Sequence, residues 1–428
     1  MKSKVLLFLY PILIALMFLW LFGCGGTGKT TAIEEGASWS RWRGPNGDGI
    51  SIETDWSPQA LAGGPKILWT ADVGYGYSNV AIQNGRLYTM GLYKKKLAFY
   101  CLDAEKGKII WRRTLPEIAE HMSTPAADGD RVYGLSKYGT LVCLNSADGK
   151  RLWTKNLKSD FQAKIPYYGW ATSPVVEGEL LLLNVNYAGL ALNKMTGEAI
   201  WTSSAKGSGV PAMYGYYATP VLCDFEGTRC ALFFGPRELS TVDIATGKIL
   251  WSYTHQEISH PISDPIVFGN QVFIARPNSI LLEMARPETR IIWSNNELLT
   301  GLTTAVLMDG YLYGSHQLIS VRDRDWTSWL RLVVPFRCVE LKTGKVMWEQ
   351  PMHIVSLIAA GGNLIMLESN GTLHIAKATP SGYTELSSAD VFRGQDKPRR
   401  FPSPPVLCGG RIYCRNFAGD LICIDVRK

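Results

Sequence analysis

The chain has 428 residues, 46% of them apolar and 19% charged, which supplies a large core and excludes a disordered or low-complexity protein. The formal charge of +7 includes Lys2 and Lys4 at the start of an export segment; removing those two leaves +5, spread too evenly to point to nucleic acid. Nine cysteines occur without a C-x-x-C-H, so covalent haem is not indicated.

Residues 1–23 read as a signal peptide. Lys2 and Lys4 form its basic end and Val5 to Phe22 its apolar run. Leu21-Phe22-Gly23-Cys24 resembles a bacterial lipobox, so Cys24 is the expected lipidation site. The competing reading is an uncleaved anchor, because the run is just long enough to span a bilayer. Either way the folded part lies outside the cytoplasm. Gly23 to Thr30 also matches G-x-x-x-x-G-K-[ST]. A phosphate-cradling loop works only between a strand and a helix, and here an apolar segment precedes it and a polar linker follows. Residues 24–38 are small and polar, as a flexible tether should be.

Residues 39–63 form a leader that opens with Trp39-Ser40-Arg41-Trp42-Arg43-Gly44-Pro45. It is expected to pack on the side of the domain that follows. Asp48, among glycines, lacks the alternating oxygen ligands and distal Glu of a calcium loop. Trp69 then ends a strand that has no preceding half.

From residue 64 to 428 one pattern recurs. Asp103–Trp111, Asn145–Trp153, Asn193–Trp201, Asp243–Trp251 and Glu340–Trp348 each carry a polar residue, a glycine four residues on, and a tryptophan four beyond that. The polar side chain bonds turn backbone and the glycine takes a left-handed position, so each reads as strand, tight turn, strand. Ala285–Trp293 keeps the spacing but has Thr289 for the glycine. Trp69, Trp111, Trp153, Trp201, Trp251, Trp293 and Trp348 are 42, 42, 48, 50, 42 and 55 residues apart, the period of a stack of four-stranded units. No long 3.6-residue amphipathic run supports a helical solenoid instead.

Most units begin with a small polar residue before proline: Ser123-Thr124-Pro125, Thr172-Ser173-Pro174, Ala218-Thr219-Pro220, Ser263-Asp264-Pro265 and Ser403-Pro404-Pro405. Looser starts lie at Ser78-Asn79-Val80, Thr303-Thr304-Ala305 and Ser356-Leu357-Ile358, making eight. The eighth unit lacks an outer strand, and the orphan strand at Trp69 supplies one. The expected fold is therefore all-β, an eight-bladed propeller closed by an N-terminal strand, which leaves no open edge. The longest insertion, between Tyr313 and Arg337, carries Arg322, Trp326 and Trp329.

This repeat resembles that of the tryptophan-docking, quinoprotein-like β-propeller family. The leader is similar to one that precedes the first blade in some of its members. The family includes PQQ-dependent dehydrogenases and, separately, non-enzymatic lipoproteins of the outer-membrane barrel-assembly machinery. The resemblance implies the seven tryptophans as docking residues. In the dehydrogenases it implies PQQ stacked between a tryptophan and a disulfide of adjacent cysteines, with calcium held by Glu and Asn and a catalytic Asp. No adjacent cysteines exist here. Neither PQQ nor calcium is expected, no metal site and no catalytic residue is assigned, and the dehydrogenase stands as the alternative reading.

Cys101, Cys143, Cys338 and Cys423 each precede the turn residue by two and read as buried packing groups, as Ala191 does in the third unit. Cys223 and Cys230 face each other across a hairpin as a possible disulfide, which an exported protein permits. Cys408 and Cys414 are less well placed for one. His121, His260 and His353 each precede a blade start, but their blades are spread around the ring, so they read as solvated loop residues. The loops before the blades carry Tyr75, Tyr77, Tyr167, Tyr168, Trp170, Tyr214, Tyr216 and Tyr217. With Arg322, Trp326 and Trp329 these are the candidate anchors for a partner, since aromatics and arginine dominate interface hot spots. The expectation is a lipid-anchored monomeric propeller in the periplasm, on the outer membrane rather than the inner. It would bind a protein partner in the envelope, or a ligand, without catalysis.

Overall fold

Each repeat folds as a four-stranded antiparallel meander, and the computed structural model holds eight such sheets. It describes residues 38–117, 123–203, 215–255, 260–317, 332–393 and 403–428. Blades 1 to 7 span 81–114, 126–156, 175–202, 221–254, 266–295, 306–353 and 355–390 in order. Blade 8 takes three strands from 406–425, and Ile67–Asp72 pairs with Asp420–Asp425 as its outermost strand. The expected closure is therefore the one observed. The first strands of blades 1 and 2, 2 and 3, 4 and 5, and 6 and 7 touch one another, which places them around the axis. The seventh blade starts at Val355, so Ser356 lies within its first strand rather than ahead of it.

The tight turns and tryptophans hold neighbouring blades together. Each docking indole reaches the turn of the next blade. Trp69, Trp111, Trp153 and Trp201 donate from Nε1 to the carbonyls of Ala104, Ser146, Lys194 and Ile244. Trp293 and Trp348 donate to Leu341 and Thr379. The glycine of each turn leaves room for the ring: a Cβ on Gly197, at φ +72°, would sit 2.8 Å from Trp153. Where Thr289 replaces that glycine, its Oγ1 accepts the Trp251 indole at 2.9 Å instead. Cys101, Cys143, Cys338 and Cys423 stand opposite Trp111, Trp153, Trp348 and Trp69, and a bulge follows at each. All four thiols are buried, the small packing groups that this crowded position admits.

The small-polar-Pro starts do more than open strands. Asn79 N donates to Thr124 Oγ1, Thr124 N to Ser173 Oγ, Ser173 N to Thr219 Oγ1, Thr219 N to Asp264 Oδ1, and Asp264 N to Thr304 Oγ1, at 2.7–3.2 Å. This buried belt links six blades in succession, and each member answers a backbone group that would otherwise be left unpaired.

The leader departs from expectation. It lies inside the ring of first strands, not on the side. Trp39 pairs antiparallel with Ile82 of blade 1, Ala127 N of blade 2 donates to Ser40 O, and Ile50–Ser51 runs parallel to Ala359–Ala360 of blade 7. Those directions make it a U: it descends from the face of the tight turns at blade 1 and climbs back along blade 7. The physical reason is that first strands present unpaired backbone to the axis, and the leader caps them. It then leaves across blades 7 and 8. Glu53 accepts from the Gly409 and Gly410 amides at 2.6 and 2.9 Å, Ser387 Oγ donates to Pro58 O, and Trp56 and Leu61 are buried beside Val391, Phe392 and Val426.

Candidate binding face

A meander puts the loops between blades and the loops joining each blade's second and third strands on one face, and the tight turns on the other. On the loop face, between blades 2 and 5, aromatic rings gather. Tyr167 and Tyr168 are in edge contact at 4.9 Å, and Tyr168 lies 6.1 Å from both Tyr217 and His260. Tyr217 is buried and its hydroxyl accepts the Tyr168 amide at 3.3 Å. Burial pushes the Tyr217 phenol up to about 12, so it stays protonated. Tyr167 is 69% exposed and Tyr168 46%, with Ile165 at 39% in the same loop and Tyr138 at 46% in the adjoining loop of blade 2. The result is two exposed rings propped on a fixed tyrosine, an arrangement suited to contact at low entropic cost.

Several expected anchors have other roles. Trp170 is 1% exposed and cannot meet a partner. Its ring covers Gly139, where a Cβ would come within 2.5 Å, so this loop tryptophan is core. Tyr216 is half-buried against Gly235, and Tyr77 is half-buried with its ring 4.5 Å from Phe417. Tyr214, Arg322, Trp326 and Trp329 lie outside the described residues, as do Cys24 and His121. The exposed Tyr138 was missed because it sits in a loop inside blade 2, between its second and third strands, and not in a loop before a blade.

The remaining sites are structural. Cys223 and Cys230 stand directly opposite each other on paired strands, as expected, but as buried free thiols rather than a disulfide. Burial raises them to about 12 and about 11, which suppresses the reactive thiolate. His353 is not simply solvated. Its Nδ1 is 3.1 Å from Glu368 Oε2, and Glu368 also faces His374, which bonds Glu385 at 2.6 Å. His260 belongs to the aromatic patch. Near the axis, Asp264 accepts from Trp42 Nε1 at 2.6 Å and pairs with Arg43 at 4.0 Å, all three brought together by the leader. Burial pushes the Asp264 carboxyl up, and Arg43 opposes that shift.

Among the described residues no group of three or more His, Cys, Asp or Glu side chains could hold a metal ion.

The profile of the family described as "Outer membrane protein assembly factor BamB" matches residues 60–133 and 100–350. The chain belongs to the BamB family. BamB of Yersinia pestis is 26% identical over 223 residues, covering 51% of this chain and 54% of that protein. BamB of Shewanella oneidensis is 23% identical over 411 residues, covering 85% of this chain and 89% of its own length. The chain thus matches about half the length of the first relative and most of the second. The crystal structure of BamB from Moraxella catarrhalis superposes with a TM-score of 0.60 at 12% identity, covering 84% of this chain and 99% of that one. A quinohemoprotein alcohol dehydrogenase from Comamonas testosteroni reaches 0.66 at 12% identity, covering 92% and 81%. At such identity both structures speak to the fold alone. The matching family model and these sequence relatives are those of BamB, whereas the dehydrogenase is matched by fold.

Proposed function

We propose that this chain is an exported, lipid-anchored, non-catalytic propeller that serves outer-membrane protein assembly by docking a protein partner on its loop face. The observation that carries the docking site is the exposed pair Tyr167 and Tyr168, held by buried Tyr217. Family membership supports the scaffold role, and the lipobox-like Leu21 to Cys24 supports the anchor. The missing adjacent cysteines and the leader in the axis support a chain without PQQ.

The test is capture of outer-membrane assembly components from detergent-solubilised envelope, identified by mass spectrometry. Truncating a hot spot costs about 2 kcal/mol or more, roughly thirtyfold in affinity. Tyr167→Ala with Tyr168→Ala should lose capture to that degree, with the melting temperature unchanged. Charge reversal at Lys150 and Lys248, on the turn face, should leave it intact. The opposite pattern would place the partner on the turn face. Two controls extend the test: Cys24→Ser should abolish labelling with a palmitate analogue, and PQQ with calcium should leave the melting temperature where it was.

A further inference from the structure

The leader brings two arginines into the ring, and only one finds a counter-charge. Arg43 is 5% exposed and paired with Asp264. Arg41 is 8% exposed, and its Nε and Nη2 both donate to Pro45 O at 3.1 and 2.7 Å. Among the described residues no carboxylate stands within 4.0 Å of its guanidinium. A buried charge without a partner is costly, and a carbonyl dipole answers only part of it. Burial accordingly drives the Arg41 pKa down, with the nearby charges of Glu177 and Asp48 acting against it.

Arg41 lines a cavity of about 350 Å³ that opens on the turn face between the leader and blades 1 to 3. That volume suits a small metabolite. Around it lie Lys194, Asp128 and Glu179, with the lysine 2.9 Å from Asp128 and 3.7 Å from Glu179. Two carboxylates against one ammonium leave this side with an excess negative charge, while the Arg41 side is positive.

We propose that this cavity binds a small zwitterion of the α-amino-acid class. Its carboxylate completes Arg41, and its ammonium meets Asp128 and Glu179. A guanidinium whose Nε edge is taken still offers Nη1 and Nη2 to a carboxylate, and charge-assisted bonds of this kind are the strong ones. The site would bind at the mouth opposite the aromatic patch, so a ligand here and a protein on the loop face need not compete.

The experiment is calorimetric titration of the mature chain with L-alanine, sodium acetate and inorganic phosphate as probes. L-alanine should bind saturably, with acetate and phosphate weaker. Losing one charge-assisted contact is worth roughly tenfold or more, so Arg41→Gln should weaken L-alanine by at least that factor. Asp128→Asn leaves Arg41 and Pro45 untouched; it should weaken L-alanine and spare acetate. Saturable L-alanine binding that Asp128→Asn does not alter would overturn the proposal, as would no binding of L-alanine to the parent chain.

Discussion

Blades 1 to 6 and the seam between blades 7 and 8 solve the same packing problem in different ways. In the first region every interface has a docking tryptophan on a turn, and the polar belt runs from Asn79 to Thr304 without a break. At the seam the outer strand of blade 7 is Glu385–Asp390, which has no tryptophan, and Pro404 stands where the eighth blade would carry a belt residue. The leader takes over there, with Trp56 and Leu61 in the gap and Glu53 gripping the Gly409–Gly410 amides. A repeat can therefore lapse where a non-repeating segment covers the loss.

The strongest way to break this comparison is to remove the closing strand. Deleting residues 64–70 strips Trp69 and most of the outer strand of blade 8, leaving an open edge. The variant should lose its cooperative melt and aggregate on size exclusion; a parent-like melt would show that the ring closes elsewhere. Next comes the leader's own tryptophan. Phe or Trp to Ala in a core costs about 3–5 kcal/mol. Trp56→Ala, at 3% exposure, should reach that range in urea unfolding. Trp153→Ala, half-buried in a regular interface, should cost less. Equal losses would deny the seam its special dependence.

Breaking one side of a buried ion pair costs about 3–5 kcal/mol, whereas replacing both partners by apolar groups can be neutral. Asp264→Ala should therefore destabilise strongly, and Arg43→Met with Asp264→Leu should recover part of the loss. No recovery would mean that the belt bond from Thr219, rather than the leader, is what Asp264 supplies.

A smaller effect belongs to the brace in blade 7. Burial alone would lower the His374 pKa, but Glu368 and Glu385 outweigh it and raise the value above 6.5. Burial likewise works to raise Glu368 and Glu385, yet their histidine partners hold both below 4.5. The histidine's contribution is full below pH 6.5 and lost as pH rises through its folded value. The glutamates' contribution is present above pH 4.5 and lost as pH falls through theirs. The brace should therefore help most between those limits, and His374→Gln should flatten the melting temperature across that window. The smallest expected change is Thr289→Val. It removes the acceptor of the Trp251 indole and should cost about 0.5–1.5 kcal/mol, read from the urea midpoint.

What could be read in the chain beforehand follows from how local the causes are. The turn glycines, the tryptophans eight residues after the polar turn residue and the orphan strand at Trp69 act through fixed spacing, so the blade count and closure were legible. Thr124, Ser173 and Thr219 were visible as strand starts, but their hydroxyls meet donors some 45 to 49 residues away, and only the closed ring brings them together. Trp170 and Tyr167 look alike in sequence, since both are loop aromatics. Their fates diverge because Gly139 in the preceding blade makes room for one of them. Nothing in Trp39 to Asp48 signals an axial position, because backbone pairing with strand edges leaves no residue pattern.

The U-shaped leader also imposes an order in time. It is synthesised before any blade, yet its binding surface includes strands from both ends of the ring, from Ile82 to Ala359 and Gly410. The earliest part of the mature domain to emerge must wait for nearly the last, and contacts that distant in sequence form slowly. Until blade 8 arrives, the early blades expose their inner edges to solvent and to one another. Export that delivered the chain unfolded and all at once would shorten that interval, whereas slow delivery would prolong it.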